Sequence, residues 1–396
     1  MSAMNTNPPT SARVTPATEA SSGKIVHFIH LDGDGGGPFT VCKHITFYSH
    51  FHQIHIIHGG SGRIARLCDE LGIAHSRLET ATLLDTLLSF PTLVGLFWML
   101  KPDLAILHGQ WAGVVGVLAA RLAGVSKVLY IAQWPAFYTD WDLLRVARNW
   151  ITEWISCRFS DEVIAISPSN RTAFLQLYPW LKGKIHALSN SIDEGEMPSE
   201  QEIARVRAQF GWQPDRVHVV SVGRLVDQKR VDWLLQAWAL NRDLWERARL
   251  WIVGDGAERK ALERMARELG LGDSCVFLGS QPQGLAFIGA GDITVFTSMY
   301  ESFGNVSLES MLCGKPVLAT HVAGIDSTLR DGVEGFLVPP EDPRALADRL
   351  RQLIDDAPLR TRMGQAGRLR VMDFLTPRVL PRFHQRIQAL MAVEPT

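Results

Sequence analysis

Two glutamates, Glu301 and Glu309, lie in the stretch Tyr-Glu-Ser-Phe-Gly-Asn-Val-Ser-Leu-Glu-Ser that spans residues 300–310. The surrounding pattern predicts a strand over 292–297, a loop carrying Glu301, and a helix that opens with Phe303, Gly304 and Asn305. Glu309 then falls on the second turn of that helix. A helix N-terminus presents unpaired N–H groups and the positive end of its dipole, so the amides from Phe303 to Val306 offer a seat for a phosphate or a hydroxyl. Two carboxylates beside such a seat can hold a sugar on one side and a ribose on the other. The expected ligand is a nucleotide sugar.

Other residues point to the same chemistry. Gly223-Arg224-Leu225-Val226-Asp227-Gln228-Lys229 follows a predicted strand, and Arg224 and Lys229 can face a diphosphate together while Gly223 lets backbone approach it. Gly254-Asp255-Gly256 follows the next strand and can approach a nucleobase. Near the start, Asp32-Gly33-Asp34-Gly35-Gly36-Gly37 is glycine-rich and precedes a helix, so Gly35 and Gly36 are candidates for cradling a phosphate. The segment lacks the Gly-x-Gly-x-x-Gly dinucleotide fingerprint, which argues against a nicotinamide-dependent oxidoreductase. His108 ends a strand ahead of Gly109-Gln110-Trp111, and Gln133-Trp134-Pro135 ends the next; His108 can hydrogen-bond a sugar or an acceptor. The histidines His44, His50, His52, His55 and His58 mix helix, loop and strand spacings, so no metal site is expected from them.

Apolar, β-branched runs alternate with helical stretches along the whole chain. Strands are expected at 25–31, 53–58, 103–108, 127–133, 162–167 and 184–188, then at 217–222, 249–253, 275–278, 292–297, 316–320 and 335–338. This is an α/β pattern of two Rossmann-like parallel-sheet domains facing each other across a cleft. Residues 1–22 read as a disordered tail, 23–200 as the first domain and 201–376 as the second, with a C-terminal helix in 377–396 crossing back to the first. The stretch 190–215 reads as the linker plus the first helix of the second domain. Ligands of open parallel sheets bind at the carboxyl ends of the strands, which places the motifs above in the cleft.

Composition narrows the setting. With 396 residues, 46% hydrophobic and a net charge of −1, the chain can build two cores and is not a general nucleic-acid binder. The cysteines Cys42, Cys68, Cys157, Cys275 and Cys313 are scattered without a Cys-x-x-Cys pair, as in a reducing compartment. No signal peptide is evident, and a cytoplasmic location is expected. The most apolar stretch, 83–100, is interrupted by Asp85 and Pro91 and reads as a helix, a bend and a second helix. It, and residues 141–159 with Arg145, Arg148 and Arg158 among Trp150 and Trp154, can rest on an anionic membrane surface.

Taken in order, Gly223-Arg224-Leu225 with Lys229, Gly254-Asp255-Gly256, Glu301 with Glu309, Gly314-x-Pro316-Val317 and Asp331-Gly332-x-x-Gly335 resemble family 4 of the retaining glycosyltransferases. In the first half, residues 161–169 and Ser189-Asn190-Ser191-Ile192-Asp193 fit the same family. The resemblance implies the GT-B fold and a donor site in the second domain. Arg224 and Lys229 would neutralise the donor diphosphate, Glu309 would accept from ribose hydroxyls, and Glu301 would contact sugar hydroxyls. It implies no cofactor and no divalent metal, with catalysis by positioning and charge stabilisation. By the same resemblance the donor is expected to be GDP-mannose and the acceptor a polyprenyl-diphosphate-linked oligosaccharide of exopolysaccharide synthesis, met at the cytoplasmic face of the inner membrane. The alternatives are a UDP-sugar donor or a non-catalytic nucleotide-sugar-binding subunit. Three positions depart from the family pattern: Gln133 stands where many relatives have a histidine, Ala323-Gly324-Ile325-Asp326-Ser327 lacks a glutamate, and the first glycine loop is richer in glycine.

Overall fold

Each predicted strand forms, and the strands sort into two parallel sheets. A computed structural model describes residues 23–30, 36–60, 62–79, 83–133 and 143–392. The tail 1–22, Gly35 with the preceding glycine loop, Trp134, Pro135 and Trp141 lie outside the described residues. The first sheet contains β1 (Lys24–Ile29), β2 (Gln53–His58), β3 (Ala74–Arg77), β4 (Leu104–His108), β5 (Lys127–Ala132), β6 (Glu162–Ala165) and β7 (Ile185–Ala187), in the order β3-β2-β1-β4-β5-β6-β7. The second contains β8 (Val217–Val222), β9 (Ala248–Val253), β10 (Cys275–Gly279), β11 (Ile293–Phe296), β12 (Val317–Thr320) and β13 (Gly335–Val338), in the order β10-β9-β8-β11-β12-β13. The central strands are apolar on both faces because helices cover both; β4 is buried along its whole length. This is the GT-B arrangement of two Rossmann-like sheets.

β3 was not expected. Its Ala-His-Ser-Arg has no apolar run, and it forms as an edge strand by pairing with β2 from His55↔Ala74 to His58↔Arg77. Neighbour pairing overrides a weak local preference there. The stretch Leu83–Leu100 also differs from expectation: it is one helix that runs through Pro91. Proline removes a single ladder bond, and packing of Phe90 before it and of Leu93 and Phe97 after it against the first core holds both sides in line. Its outer face leaves Leu88 and Trp98 exposed. Among the described residues no helix is long and apolar enough to cross a membrane.

In the stretch 190–215, a capping box of Ser199 and Glu202 starts the helix Glu200–Gln209, with the Glu202 carboxylate accepting from the Ser199 amide at 2.8 Å. Its Ile203 and Val206 pack on Val220, Trp251 and Phe287 of the second sheet's layer. The helix Thr376–Ala392 runs the other way. Its Val379, Leu380, Phe383 and Ile387 share a core with Ile25, Leu104, Ile106 and Leu129 of the first sheet, and Arg386 forks onto Glu162. The two chain crossings between the halves lie side by side: Ile192 N–H donates to Phe374 O and Thr376 N–H to Ile192 O, both at 3.0 Å. The same core takes in Phe303, Leu308 and Met311 of the second half, so it also cements the halves at the base of the cleft.

The helix Leu143–Phe159 buries a carboxyl group. Glu153 is fully enclosed, and the Tyr130 hydroxyl donates to its two oxygens at 3.1 and 2.9 Å. Burial pushes its pKa up to about 8, against the lowering effect of the Tyr130 hydrogen bond. A carboxyl protonated in the folded state and ionised in the unfolded one contributes full stability below its unfolded pKa of 4.5, and that contribution declines until pH passes about 8. Glu153→Gln keeps the shape without the ionisation. It is expected to raise stability at pH 7 by on the order of 2–3 kcal/mol, and to leave stability unchanged at pH 4. Urea unfolding of both proteins at the two pH values checks this; an equal effect at both would mean that ionisation is not the cause.

Candidate functional site

In both sheets the strand order reverses direction beside the first-formed strand, between β1 and β4 and between β8 and β11. Loops that leave the carboxyl ends of such neighbours diverge and open a crevice. The loop after β8 carries Gly223, Arg224 and Lys229; the loop after β11 carries Glu301. They meet across the second crevice, where the Lys229 ammonium lies 2.5 Å from a Glu301 carboxylate oxygen. Both side chains are largely buried, so the pair is weakly screened.

Buried hydroxyls fix this pair. Thr297 donates to the carbonyls of Lys229 and Arg230 at 3.1 and 2.7 Å, tying the end of β11 to the turn after Lys229. Ser298 donates to the Glu301 carboxylate at 2.6 Å, and Thr320, from β12, donates to Ser298 O at 2.5 Å. The amide of Gln228 reaches Tyr300 O at 3.1 Å. Sequence reasoning missed Thr297, Ser298 and Thr320; polar residues at the ends of apolar strands were the available signal. Arg224 is exposed at the rim and makes no ion pair among the described residues. Gly223, Arg224, Lys229, Thr297 and Val306 line one small crevice.

The Gly254-Asp255-Gly256 turn also has a structural role. A Cβ on Gly254 would stand 1.8 Å from Gly223 O, and one on Gly256 would stand 2.2 Å from Leu225 O. Leu225 N–H donates to Asp255 O, and Glu258 N–H to Leu225 O, each at 2.9 Å. The turn is thus stitched to the loop that presents Arg224 and Lys229. The Asp255 carboxylate accepts from Gly256 N–H and Arg259, both at 2.8 Å.

Gly304, at φ 78°, is the N-cap of the helix Asn305–Leu312, and a side chain there would strike Ile325. The Phe303 side chain is buried against Phe374, so only its backbone faces the site. Asn305 accepts from the Asn190 side chain of the first half at 3.1 Å, and Gly324 N–H donates to the Ser169 hydroxyl at 2.9 Å. Glu309 is partly buried on the same helix. Burial, then the Glu196 carboxylate, push its pKa up to about 7, while Lys43 and Lys229 pull it down. Lys43, from the helix Gly36–Tyr48, pairs with Glu196 at 2.6 Å and donates to Ser191 O at 2.8 Å. Sequence reasoning missed both Lys43 and Glu196, which are far from each other and from Glu309 in the chain.

His108 is not open to the cleft in the way expected. Its ring is buried, stacked on His27, with His27 Nδ1 and His108 Nε2 2.9 Å apart. Burial holds its pKa well below the usual histidine value, with His27 and His44 adding to the effect, so the ring is neutral. Gly36 opens the helix that covers this cluster. Among the described residues no group of three or more His, Cys, Asp or Glu side chains is placed to hold a metal ion.

The second half, residues 202–370, matches the family model of glycosyl transferases group 1, and residues 45–196 match that of glycosyltransferase family 4. The chain is 30% identical over 267 residues to the lipopolysaccharide core biosynthesis glycosyltransferase LpsE of Rhizobium meliloti, covering 67% of this chain and 70% of that protein. It is 28% identical over 301 residues to the putative glycosyltransferase EpsD of Bacillus subtilis, covering 74% and 78%. Among solved structures, Anabaena HepE in complex with UDP and glucose superposes with a TM-score of 0.79 at 24% identity, over 93% of this chain and 100% of HepE.

Gly254→Ala should force the two stitched loops apart. The expected result is a folded protein less stable by roughly 2–3 kcal/mol, seen as a lower urea midpoint. An unchanged midpoint would mean that the close approach of Gly254 to Gly223 O is not a feature of the folded chain.

Proposed function

This chain belongs to the family 4 retaining glycosyltransferases of the GT-B fold, and from that premise we propose that it moves a hexose from a nucleoside diphosphate sugar to a lipid-linked oligosaccharide in cell-surface polysaccharide synthesis. The observation that carries the site assignment is the Lys229–Glu301 pair across the β8/β11 crevice, with the N-terminus of the Glu309 helix beside it. In this reading 201–376 is the donor unit, and 23–200 with the returning helix is the acceptor unit.

Arg224 and Lys229 take the charge of the departing diphosphate. Lys229 is shared with Glu301 before a donor enters, so the diphosphate competes for the ammonium and frees Glu301 to accept from sugar hydroxyls. The amides of Phe303 to Val306 meet the sugar or the outer phosphate. Glu309 accepts from the ribose. Gly223, and the Gly254-Asp255 turn that holds it, shape the diphosphate and base end; Gly35 and Gly36 are assigned to a donor phosphate on their glycine-rich sequence alone. Departure of the diphosphate from the face that the acceptor hydroxyl approaches preserves configuration, and the leaving oxygen takes the acceptor's proton. The pair of cations replaces a divalent metal. His108, neutral and bonded to His27, supports the acceptor wall rather than carrying a proton.

The first donor to test is GDP-mannose, favoured by the resemblance of the motifs. The second reading is a UDP-hexose, supported by the UDP and glucose held in HepE. A lipid acceptor and peripheral contact with the cytoplasmic face of a membrane are supported by one surface. Leu143, Leu144, Trp150, Ile151 and Phe159 are exposed on one helix, which also bears Arg145, Arg148 and Arg158 on its outer side. Its one acid, Glu153, is buried inward. Apolar side chains among exposed cations suit an anionic lipid surface.

The deciding experiment incubates the protein with GDP-mannose or UDP-hexoses, with and without EDTA and a membrane lipid extract. Nucleotide release that requires the extract and survives EDTA is expected; binding of nucleotide sugar without any release would favour a non-catalytic subunit. Lys229→Ala should slow transfer at least about tenfold. Donor affinity should rise with pH through about 7 as Glu309 ionises, and this dependence should vanish in Glu309→Gln. Wild-type rates and an unchanged pH profile in these two folded variants would remove the site assignment. Vesicles of phosphatidylglycerol should sediment the wild-type protein, and the variant Leu143→Ser/Leu144→Ser/Trp150→Ser should stay in solution; equal sedimentation would remove that surface.

A further inference from the structure

The open edge of the first sheet forms a second basic depression, outside the cleft. There β7 runs between the helix Pro168–Leu177 and the returning helix Thr376–Ala392, and a cavity of about 730 Å³ lies against it. Arg171 stands on one wall and Arg382, Gln385 and Arg386 on the other, with His186 of β7 at the floor.

Two of the three cations are held from behind. Arg171 Nε donates to Ile185 O at 3.1 Å, and the rest of its guanidinium makes no hydrogen bond or ion pair among the described residues. Arg386 is forked onto Glu162. Arg382 is exposed and makes no ion pair or hydrogen bond among the described residues. The three arginines face one acid, Glu162, so the depression carries a net positive charge. His186 reports that field: burial lowers its pKa first, and Arg386 and Arg171 lower it further, against Glu162. Its Nε2 is buried without a hydrogen-bond partner. The backbone adds donors. Val163 N–H donates to Lys184 O, and Leu188 N–H to Ala165 O, so residues 184, 186 and 188 turn their pairing groups toward β6. Parallel pairing of this kind leaves the amides of Ile185 and Ala187 facing the open edge.

Exposed charge alone would discourage another strand from pairing with this edge. It would not need the Arg171 guanidinium anchored at its rear, which keeps its remaining N–H groups oriented at little further entropic cost, beside the exposed Arg382. We propose that this depression binds a phosphoryl group, with Arg171, Arg382 and the β7 edge amides as its donors, at a site separate from the donor cleft. Two sources share that chemistry: a phosphorylated small molecule and the headgroup of an anionic lipid. Occupation would tie the returning helix to β7 and the Pro168–Leu177 helix.

The test uses full-length protein carrying Arg224→Ala/Lys229→Ala, so that the cleft does not contribute. Calorimetric titration with inorganic pyrophosphate should still show saturable binding. Adding Arg171→Gln/Arg382→Gln should weaken it at least about tenfold. If that combination fails to fold, Arg382→Gln alone, at an exposed residue, should give a smaller loss in the same direction. In the otherwise wild-type protein, the Arg171→Gln/Arg382→Gln change should leave nucleotide binding in the cleft unaltered. Binding of pyrophosphate but not of phosphatidylglycerol vesicles through these arginines identifies a small-molecule ligand; the reverse identifies a headgroup. No saturable binding of either, or binding indifferent to Arg171 and Arg382, overturns the proposal. A failure of the donor assignment would show instead as nucleotide binding that survives Arg224→Ala/Lys229→Ala.

Discussion

The contact between Lys229 and Glu301 is the constraint around which the second half is built. An ammonium and a carboxylate with little solvent access are costly to hold unless their geometry is fixed and their remaining valences are used. Here the loops bearing them leave neighbouring strands on either side of the sheet's reversal, and three hydroxyls hold those loops. Thr297 fixes the backbone under Lys229. Ser298 fixes the carboxylate, and Thr320 fixes Ser298. The glycines of the 254–256 turn let a further loop come within bonding distance of Leu225 and brace it from outside. On the proposed reading, in which a highly charged diphosphate enters and leaves, such bracing helps because displaced donors lose charge stabilisation steeply with distance.

The first half contributes in a different way. It supplies few free charges to the cleft; Lys43 is paired with Glu196, and that pair lies close enough to Glu309 to act on its ionisation. Beneath it lies a set of neutral, buried rings, His27, His44 and His108, packed with Tyr48 and with Phe383 of the returning helix. These rings join the first half's side of the cleft to the last helix of the chain. The core that Phe303, Leu308 and Met311 share with that helix carries the connection on to the second half. The paired crossings at Ile192 and Leu375 are the remaining covalent route between the halves. The cleft therefore sits over a continuous apolar base with polar contacts at its rim, such as Asn190 to Asn305 and Ser169 to Gly324.

Much of this was legible in the residues. Runs of β-branched and aliphatic side chains fixed the expected strands because a strand buried on both faces must be apolar throughout. The order of short motifs pointed to the family, and Lys229, Glu301 and the start of the Glu309 helix do come together beyond the strand ends of the second sheet. Three things were decided only by folding. β3 exists because β2 offers it an edge, and nothing in Ala-His-Ser-Arg demands a strand. His108 has the position of a cleft residue in the sequence, yet its ring turns to His27, because sheet pairing brings β1 beside β4 and burial favours the neutral rings that satisfy each other. Glu196 and Lys43 gain their influence on Glu309 across long stretches of chain. Local sequence determines periodicity, caps and turn chemistry, which are interactions among near neighbours; which charges share a cleft depends on packing between distant segments, and that information is absent from any one of them.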